Sequence, residues 1–331
     1  MRALYQGQRH MLALLKLLQD GRFHSGEELG AALGISRAAV WKQLQVLQAE
    51  LSLSLHKVRG KGYRLSTPVV LLDADWLNEH SDVPQWQAHV YQSIDSTSAE
   101  AQRLLLIEDR IPFYVLAEQQ TNGRGRRGRA WISPFGENIY YSLVLRVHGG
   151  MRLLEGMSLA VGLALLKVVR HFGVADAGLK WPNDVLVGER KLAGILVELS
   201  GDPADVCHVI IGIGLNVNML TSNAAEINQP WTSMRAESGV AFNRNHLVAE
   251  LNRQLSHYLG VQLEEGFLPL RDEWESCHLW QGRRVVLNAG GDPIEGVVLG
   301  VDRSGGIRFL VNGAEQVLSG GELSLRLRDD S

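Results

Sequence analysis

The segment from Glu118 to Trp131 constrains this chain more than any other stretch. Residues 123–129 read Gly-Arg-Gly-Arg-Arg-Gly-Arg, which places four arginines and three glycines in seven positions. Glycine lets a backbone take positive φ and lie close to a ligand, and the arginine fork suits carboxylate and phosphate groups. The segment therefore predicts a mobile loop that encloses an anion. The alternative, a solvated basic hairpin tip, does not need three glycines.

The spacing of Gly123, Gly125 and Gly128 also matches the glycine fingerprint of dinucleotide-binding folds. That fingerprint requires a strand before it and a helix directly after it. Residues 113–117 predict the strand, but 131–136 form a turn and 139–145 predict another strand. No helix N-terminus follows to receive a pyrophosphate, so the sequence excludes a Rossmann site here.

Charge is distributed unevenly along the chain. Residues 1–66 hold ten Lys/Arg and four Asp/Glu, which leaves 23 of the 33 basic and 32 of the 36 acidic residues for the rest. A basic head on an acidic body indicates that the head binds nucleic acid and that the body has another role. At 331 residues, the chain is predicted to form two or three domains.

Cysteine usage and hydropathy indicate a cytoplasmic protein. Cys207 and Cys277 lie far apart and lack metal-ligand spacing, so we expect core packing in a reducing compartment and no disulfide. The amphipathic N-terminus is interrupted by Lys16 and Gln19, unlike a signal peptide. No apolar run is long enough to span a bilayer, so no membrane partner is expected.

The basic head predicts a helix-turn-helix. Apolar positions predict a helix over 9–19, and Ser25 with Glu28 forms a capping-box pattern for a second helix that ends at Gly34. Ser36 caps a third helix, whose buried face we predict to be Val40, Leu44, Leu47 and Leu51. Residues 55–65 predict a hairpin, or wing. The predicted DNA contacts are Ser36, Arg37, Ala38, Trp41, Lys42, Gln45 and Lys61. The alternative is a small helical packing module without a DNA role.

Residues 69–270 predict a large mixed α/β segment with several polar motifs. Asp95-Ser96-Thr97-Ser98 joins a strand over 88–94 to a helix over 99–106, and its hydroxyls can either cap the helix or bind a polar ligand. Lys180-Trp181-Pro182-Asn183-Asp184 brings together a cation, an amide and a carboxylate, or is a plain turn. Lys191 begins the second strand of a hairpin over 184–199, where a lysine is often only a solvated strand end.

The remaining motifs complete the predicted architecture. Residues 209–218 form a buried strand with two glycines, a pattern typical of close approach by a ligand or another backbone. Residues 221–239 predict a loop that carries Trp231, and 244–263 predict a helix. From residue 281 onward, short strands with Gly, Asp and Asn turns indicate a small β-barrel.

Taken together, these motifs resemble the bifunctional biotin–protein ligase and biotin-operon repressors of bacteria, the BirA family. The resemblance covers nearly the whole chain and is carried by the head, the 118–136 segment, KWPND at 180–184, KLAGIL at 191–196, GIGLNVN at 212–218 and GGELSLR at 320–326. It implies a multidomain α/β (α+β) fold. The implied domains are a winged helix-turn-helix at 1–66, a mixed-sheet ligase domain at 69–270 and an SH3-like barrel at 281–328.

The resemblance also implies a two-step reaction. Biotin and ATP, with Mg2+, give biotinyl-5′-AMP and pyrophosphate, and the adenylate then acylates one lysine of the biotin carboxyl carrier protein of acetyl-CoA carboxylase. The adenylate-bound form is expected to be a homodimer that binds operator DNA and represses biotin synthesis genes. No fixed metal site is implied, and Mg2+ is expected to enter with ATP near Asp184.

The family's ligand contacts map onto defined positions of this chain. The implied biotin contacts are Ser96, Thr97, Ser98, Gln120, Arg124, Gly125, Arg126 and Lys191. The implied ATP contacts are Lys180, Asn183, Asp184, Asn216 and Trp231. Arg124, Arg126 and Lys191 are the catalytic candidates, because joining a carboxylate to a phosphate requires positive charge between two anions, and the closed loop would keep water from the mixed anhydride.

One position departs from the family pattern, and two other functions compete. The family commonly has asparagine where this chain has Ser98, so the role of Ser98 is the least constrained. A lipoate–protein ligase shares the adenylate chemistry, but the DNA-binding head and the 123–129 loop disfavour it. A biotin-sensing repressor without ligase activity is disfavoured by the presence of Arg126 and Lys191.

Overall fold

The computed structural model describes residues 11–51, 53–148, 154–201, 206–220, 227–288, 293–319 and 324–327. The chain divides into two compact units. One comprises Met1–Leu72 with Pro134–Glu137, and the other Asp73–Ser133 with Asn138–Ser331. In the described residues, no helix is both long and apolar enough to cross a membrane.

The first unit is a three-helix motif followed by a two-stranded hairpin. Its elements are α1 (11–18 of the described residues), α2 (Gly26–Leu33), α3 (Arg37–Leu51), β1 (Leu55–Val58) and β2 (Gly62–Leu65). Both bonds of the predicted capping box are present between Ser25 and Glu28. Gly34 ends α2 in the left-handed conformation at φ 67°. A side chain at Gly30 would collide with the Ile35 carbonyl, so glycine permits the tight turn into α3.

The core of this unit confirms the predicted face of α3. Val40, Leu44, Leu47 and Leu51 are buried in one apolar cluster that also contains residues of α1. Phe135, which lies far away in the sequence, completes the same cluster. The opposite face of α3 is left to solvent, and this is the face that the sequence predicted to be polar.

The second unit is built on a seven-stranded mixed sheet. Its strands are β3 (Gln87–Ile94), β4 (Phe113–Gln120), β5 (Ile139–His148), β6 (Ala177–Lys180), β7 (Asp184–Val187), β8 (Arg190–Gly201) and β9 (Val206–Leu215). They lie in the order β3-β4-β5-β9-β8-β7-β6, in which β3 pairs parallel to β4 and every other pair is antiparallel. The parallel pair is joined through a helix, as a parallel crossover requires.

Helices cover both faces of this sheet. They are α4 (Ala74–Glu79), α5 (Thr97–Leu104), α6 (Met157–His171), α7 (Met234–Ser238), α8 (Arg244–Glu265) and α9 (Arg271–Ser276). Successive strand residues point to opposite faces. Tyr141 donates a hydrogen bond to Asn252 of α8, whereas Ser142 donates to Thr97 of α5. The two helices therefore lie on opposite faces, and the ligand motifs are on the α5 face.

A second, five-stranded antiparallel sheet follows in the same unit. It contains β10 (Arg284–Asn288), β11 (Ile294–Val301), β12 (Ile307–Val311), β13 (Ala314–Leu318) and β14 (Ser324–Leu327), in the order β13-β12-β11-β10-β14. The Trp181 indole N–H donates to the Gly305 carbonyl at 3.0 Å, so the 180–184 motif is bonded directly to the β11–β12 turn.

Three sequence expectations need correction. Helix α5 begins at Thr97 and not at residue 99, because Ser96 occupies the N-cap position. Helix α7 lies inside the stretch 221–239 that was predicted to be a loop, and of that loop 221–226 fall outside the described residues. Helix α6, which is buried on nearly every side, was not predicted.

Candidate active site

A single cavity of about 980 Å³ in the second unit gathers every ligand residue that the sequence predicted. These residues come from six separate stretches of the chain. They are Ser96, Thr97, Ser98, Gln120, Arg124, Gly125, Arg126, Lys180, Asn183, Asp184, Lys191, Asn216 and Trp231. The structure thus brings the set together, while the contact that each residue makes with a ligand stays a prediction.

The floor of the cavity is made of glycine. Gly194 of β8 and Gly214 of β9 are paired across the sheet, and the Trp131 indole lies on both of them. A side chain at Gly214 would collide with that indole, and one at Gly212 would come within 3.0 Å of Ser98 Oγ. These strand glycines therefore serve close approach, as their sequence context predicted.

Trp131 is a cavity residue that the sequence analysis did not single out. Its ring lies on the glycine floor beside the Lys191 side chain, whose ammonium is 5.5 Å from the ring centroid and also lies close to Gly194. Within the described part of the chain its buried indole N–H has no hydrogen-bond acceptor. A buried donor without a partner costs free energy, so an acceptor atom of a ligand would be favoured beside it. A tryptophan directly after the arginine-rich loop was the available signal.

The predicted loop is closed by its own backbone. Trp131 N–H donates to Gly123 O at 2.9 Å, and Gly125 N–H donates to Arg129 O at 2.7 Å. Between them, Arg126–Gly128 form one 3-10 turn, in which Arg127 takes the left-handed conformation at φ 60°. The backbone of this glycine-rich segment therefore forms a compact loop, which carries the four arginine side chains.

The catalytic candidates each have a polar partner. Lys191 Nζ lies 2.8 Å from Asp184 Oδ1, and Arg126 donates to Asn183 Oδ1 at 3.0 Å. Two cations from distant segments thus meet at one Asn-Asp dipeptide. Arg124 points elsewhere, with its guanidinium 3.9 Å from Glu198, so it is separated from the other two candidates.

The turn that carries this dipeptide is held on both sides. Asn183 donates its side-chain amide to Ile195 O at 2.7 Å, and Ile195 N–H donates to Asn183 O at 2.9 Å. Ser158 donates to Pro182 O at 3.1 Å. Side chain and backbone of Asn183 are therefore both bonded to the sheet, which fixes the position of the motif, while its role in ligand binding stays a prediction.

Lys180 lies in a more apolar setting than the other lysine. Its ammonium is 4.7 Å from the centroid of the Trp280 ring. Burial lowers the pKa of Lys180, and the positive charges of Lys191, Arg326 and Arg129 lower it further, against the opposing effect of Asp184. An incoming anion would therefore stabilise the charged form of Lys180.

Trp231 is fastened to the strand of Lys191. Lys191 N–H donates to Pro230 O at 3.0 Å, and Thr232 N–H donates to Lys191 O at 2.9 Å. The side-chain amide of Asn216 donates to Thr232 O at 2.9 Å. Asn216 therefore supports the segment that presents Trp231, and its amide protons are directed at backbone and not at the cavity.

The cavity lining is strongly positive. Of the described residues, seven Lys/Arg side chains and two carboxylates line it, which is an excess of five positive charges. The cations are Arg124, Arg126, Arg127, Arg129, Lys180, Lys191 and Arg326. Arg326 and Trp280 come from the C-terminal part, and the sequence analysis did not assign them a role. Such a lining attracts polyanionic ligands.

Among the described residues, no three His, Cys, Asp or Glu side chains gather into a metal site. Asp184 is one of the two carboxylates in the lining. Mg2+ usually keeps several waters and binds through one or two carboxylates together with substrate phosphates. The donor set therefore fits a magnesium ion that arrives with a nucleotide.

The first unit presents the predicted nucleic-acid surface. The side chains of Arg37, Trp41, Lys42 and Gln45 on α3 are exposed, and Trp41 is 48% exposed despite its size. Ser36, Ala38 and, in the β1–β2 turn, Lys61 are also exposed. An exposed tryptophan among cations on a helix favours a binding surface over a packing module.

Comparison with known proteins fits both units. Residues 90–216 match the Biotin/lipoate A/B protein ligase family, and residues 9–64 match an HTH domain. The bifunctional ligase/repressor BirA of Salmonella typhimurium is 40% identical, over 95% of this chain and 97% of that protein. The chain belongs to the BirA family.

Other relatives fit this membership of the BirA family. The BirA of Escherichia coli is 39% identical over 95% of this chain and 97% of that protein. The structure of the Aquifex aeolicus biotin protein ligase, in complex with biotin and ATP, matches with a TM-score of 0.64 and 30% identity, covering 73% of this chain and 99% of that one.

Proposed function

We propose that this chain is an ATP-dependent biotin–protein ligase that also represses transcription through its helix-turn-helix. One observation carries the ligase assignment. Arg126 and Lys191 meet at Asn183 and Asp184, inside a cavity with an excess of positive charge. Positive charge held in a closed site is what the joining of a carboxylate to a phosphate requires.

In the first step, a carboxylate oxygen of biotin attacks the α-phosphorus of ATP. The new bond joins the carboxylate oxygen to the α-phosphorus, so the product is a mixed anhydride. Pyrophosphate leaves with the electrons of the broken P–O bond. Lys191 and Arg126 offset the charge of the two anions as they approach. The polar groups of Ser96, Thr97, Ser98 and Gln120 hold the biotin head group, and Arg124 and Gly125 cover it from the loop.

Nucleotide binding is assigned to a second group of cavity residues. Lys180 takes the phosphates, Trp231 covers the adenine, and Asn216 supports the Trp231 segment. Asn183 and Asp184 face the metal side, where Mg2+ supplies neutralisation of phosphate charge when it is bound. Asp184 is the carboxylate that we assign to it.

In the second step, the amine of a lysine on the biotin carboxyl carrier protein attacks the carbonyl carbon of the adenylate. The amide forms, AMP leaves, and the amine loses a proton. The nucleophile comes from the acceptor, so the cavity needs no serine or cysteine nucleophile. We propose that the loop of residues 123–131 covers the anhydride and keeps water from it until the acceptor protein binds.

The finer architecture and assembly belong to the same proposal. We assign residues 1–66 to a winged helix-turn-helix, 69–270 to the ligase domain and 281–328 to an SH3-like barrel formed from the five-stranded sheet. The adenylate-bound protein is proposed to dimerise on operator DNA of biotin synthesis genes, and to act in the cytoplasm.

The ligase test uses the purified full chain with ATP labelled at the α-phosphate. With biotin we expect labelled biotinyl-AMP together with unlabelled pyrophosphate, and no acyl-adenylate when lipoate replaces biotin. A carrier protein should then become biotinylated, whereas its variant with arginine at the acceptor lysine should not. Adenylate formation with lipoate but not with biotin would overturn the substrate assignment.

The repressor test uses the same protein with and without biotin and ATP. We expect sedimentation to show a larger species with both substrates, and tighter binding to DNA from upstream of biotin synthesis genes than to scrambled duplex. Equal binding to both duplexes under all conditions would contradict the repressor role while leaving the ligase role intact.

A further inference from the structure

The polar end of the cavity contains a chain of hydrogen bonds whose direction is fixed. Thr97 N–H donates to Gln120 Oε1 at 2.9 Å. A backbone N–H can only donate, so this contact determines which end of the Gln120 amide is the oxygen. Every further proton position in the chain follows from this one.

The hydroxyl groups must then all point the same way. Thr97 Oγ1 donates to Gln120 Oε1 at 3.1 Å, because an amide oxygen only accepts. With that proton committed, Ser142 must donate to Thr97 Oγ1 at 2.8 Å. Ser98 must in turn donate to Ser142 Oγ at 3.1 Å. In this hydrogen-bond chain, Ser98 donates to Ser142, Ser142 donates to Thr97, and Thr97 donates to Gln120.

The other end of the Gln120 amide is held equally firmly. Gln120 Nε2 donates to Ser133 Oγ at 3.0 Å, and Ser133 donates to the Trp131 carbonyl at 2.9 Å. A carbonyl also only accepts. The chain is therefore anchored by main-chain groups on both sides of Gln120, and it cannot reverse without breaking one of them.

The direction of these hydrogen bonds determines which cavity hydroxyls can donate to a ligand and which can only accept. Ser98 lines the cavity, and its only proton is spent on Ser142, so its oxygen presents lone pairs alone. Ser96 makes no side-chain bond to its helix, so its hydroxyl keeps a proton to give. Ser142 is fully buried and acts only through its neighbours.

We propose that Ser142 is a positioning residue that makes Ser98 an obligate acceptor, so that the site selects a cyclic urea by one of its ring N–H groups. The proposal rests on the proposed function, in which the ligand is biotin. Ser98 and Ser142 together supply the acceptor. Loss of Ser142 would free the Ser98 proton, and the same oxygen could then donate.

The test compares biotin with its two isosteric cyclic carbamates, in which a ring oxygen replaces one or the other N–H. Adenylate formation by the full chain gives the KM for each. We expect the wild type to prefer biotin over one carbamate by roughly tenfold or more, because a ring oxygen would face the Ser98 lone pairs. In Ser142→Ala, Ser98 can donate to that oxygen, and the preference should fall to about threefold or less.

Two further variants make the result decisive. Ser98→Ala removes the acceptor itself and should also erase the preference. Ser93→Ala removes a hydroxyl of β3 that donates to Gln119 at 3.4 Å. This hydroxyl is not part of the hydrogen-bond chain, so the preference for biotin should be unchanged. The KM for ATP should not move in any of the three.

Each outcome has one meaning. A wild type that forms no biotinyl-AMP contradicts the proposed function itself. An active wild type whose preference survives in both Ser142→Ala and Ser98→Ala overturns the inference alone. Equal weakening of biotin and both carbamates in Ser142→Ala, as a purely structural role would give, overturns it as well.

Discussion

Lys191 Nζ lies 2.8 Å from Asp184 Oδ1, and both side chains are less than one-fifth exposed. The neighbouring residue, Asn183, accepts a hydrogen bond from Arg126. One dipeptide therefore holds two of the three catalytic candidates, Arg126 and Lys191, in place before any substrate binds. An incoming carboxylate or phosphate meets cations that are already oriented, and that preorganisation is the part of electrostatic catalysis that a protein can supply in advance.

Lys191→Ala should lower the rate of adenylate formation roughly 100- to 1000-fold, by analogy with the loss of one preorganised donor. The measurement is pyrophosphate release with biotin and ATP. Arg190→Ala is the matched control, since Arg190 is the adjacent cation and pairs with Glu237, and it is not part of the cavity lining. Near-normal release by Lys191→Ala with unchanged circular dichroism would rule out a catalytic role.

Arg126→Gly should still form biotinyl-AMP, more slowly, but should release it. The substitution removes the contact to Asn183 and increases the conformational entropy of the loop. Free adenylate acylates exposed lysines, so serum albumin added to the reaction should become biotinylated. The measurement is a streptavidin blot together with the adenylate off-rate.

Arg127→Gly is the control for this loop variant. It removes one positive charge and adds one glycine to the same turn, but at a position that already has φ 60°, where glycine is unstrained. Labelling should remain confined to the carrier. If both variants label albumin equally, retention depends on loop stiffness or net charge and not on the Arg126 guanidinium.

Lys42→Ala should weaken DNA binding and reduce the slope of log K against log salt by about 1, the loss expected for one phosphate contact. Lys16→Ala removes an equal charge from α1 of the same unit, from an exposed side chain outside the predicted contact set. Binding should be measured over a salt series. Equal slopes for Lys42→Ala, Lys16→Ala and wild type would remove Lys42 from the interface.

His278 should make the second unit sensitive to acid. Burial lowers its pKa to about 4, from an ordinary value of 6.5, and its ring stacks on Trp274 at 4.7 Å. Between pH 4 and 6.5, the unfolded chain therefore binds a proton at His278 that the folded chain does not bind. The contribution to stability is complete above pH 6.5 and is lost as the pH falls towards 4, by about 3 kcal/mol over that interval.

His278→Gln cannot take up this proton, so its stability should fall less than that of the wild type between pH 6.5 and 4. Urea unfolding followed by tryptophan fluorescence at several pH values measures the difference. His80→Gln, which replaces an exposed histidine, should keep the wild-type slope. A parallel decline of the wild type and His278→Gln would show that His278 does not cause the acid sensitivity.

Several local features of the structure could be predicted from the sequence. The capping box at Ser25 and Glu28, the glycine stop at Gly34 and the apolar face of α3 depend on residues within a few positions of one another. Such features are fixed by backbone sterics and short-range hydrogen bonds. Helix α6 was not predicted; it is buried on nearly every side, so its place in the fold depends on the elements that pack around it.

By itself, the sequence determined the chemical types available and the order in which they occur: a basic head, a glycine-arginine loop, and lysines, amides and hydroxyls at strand ends. Only the tertiary structure decided that Lys191 faces Asp184, that Trp131 lies on Gly194 and Gly214, and that Ser142 stands behind Ser98. These contacts join residues 7 to 83 positions apart along the chain, through the registers of β5, β7, β8 and β9. Register is set by the packing of whole strands against the core, so no local pattern of residues could reveal it.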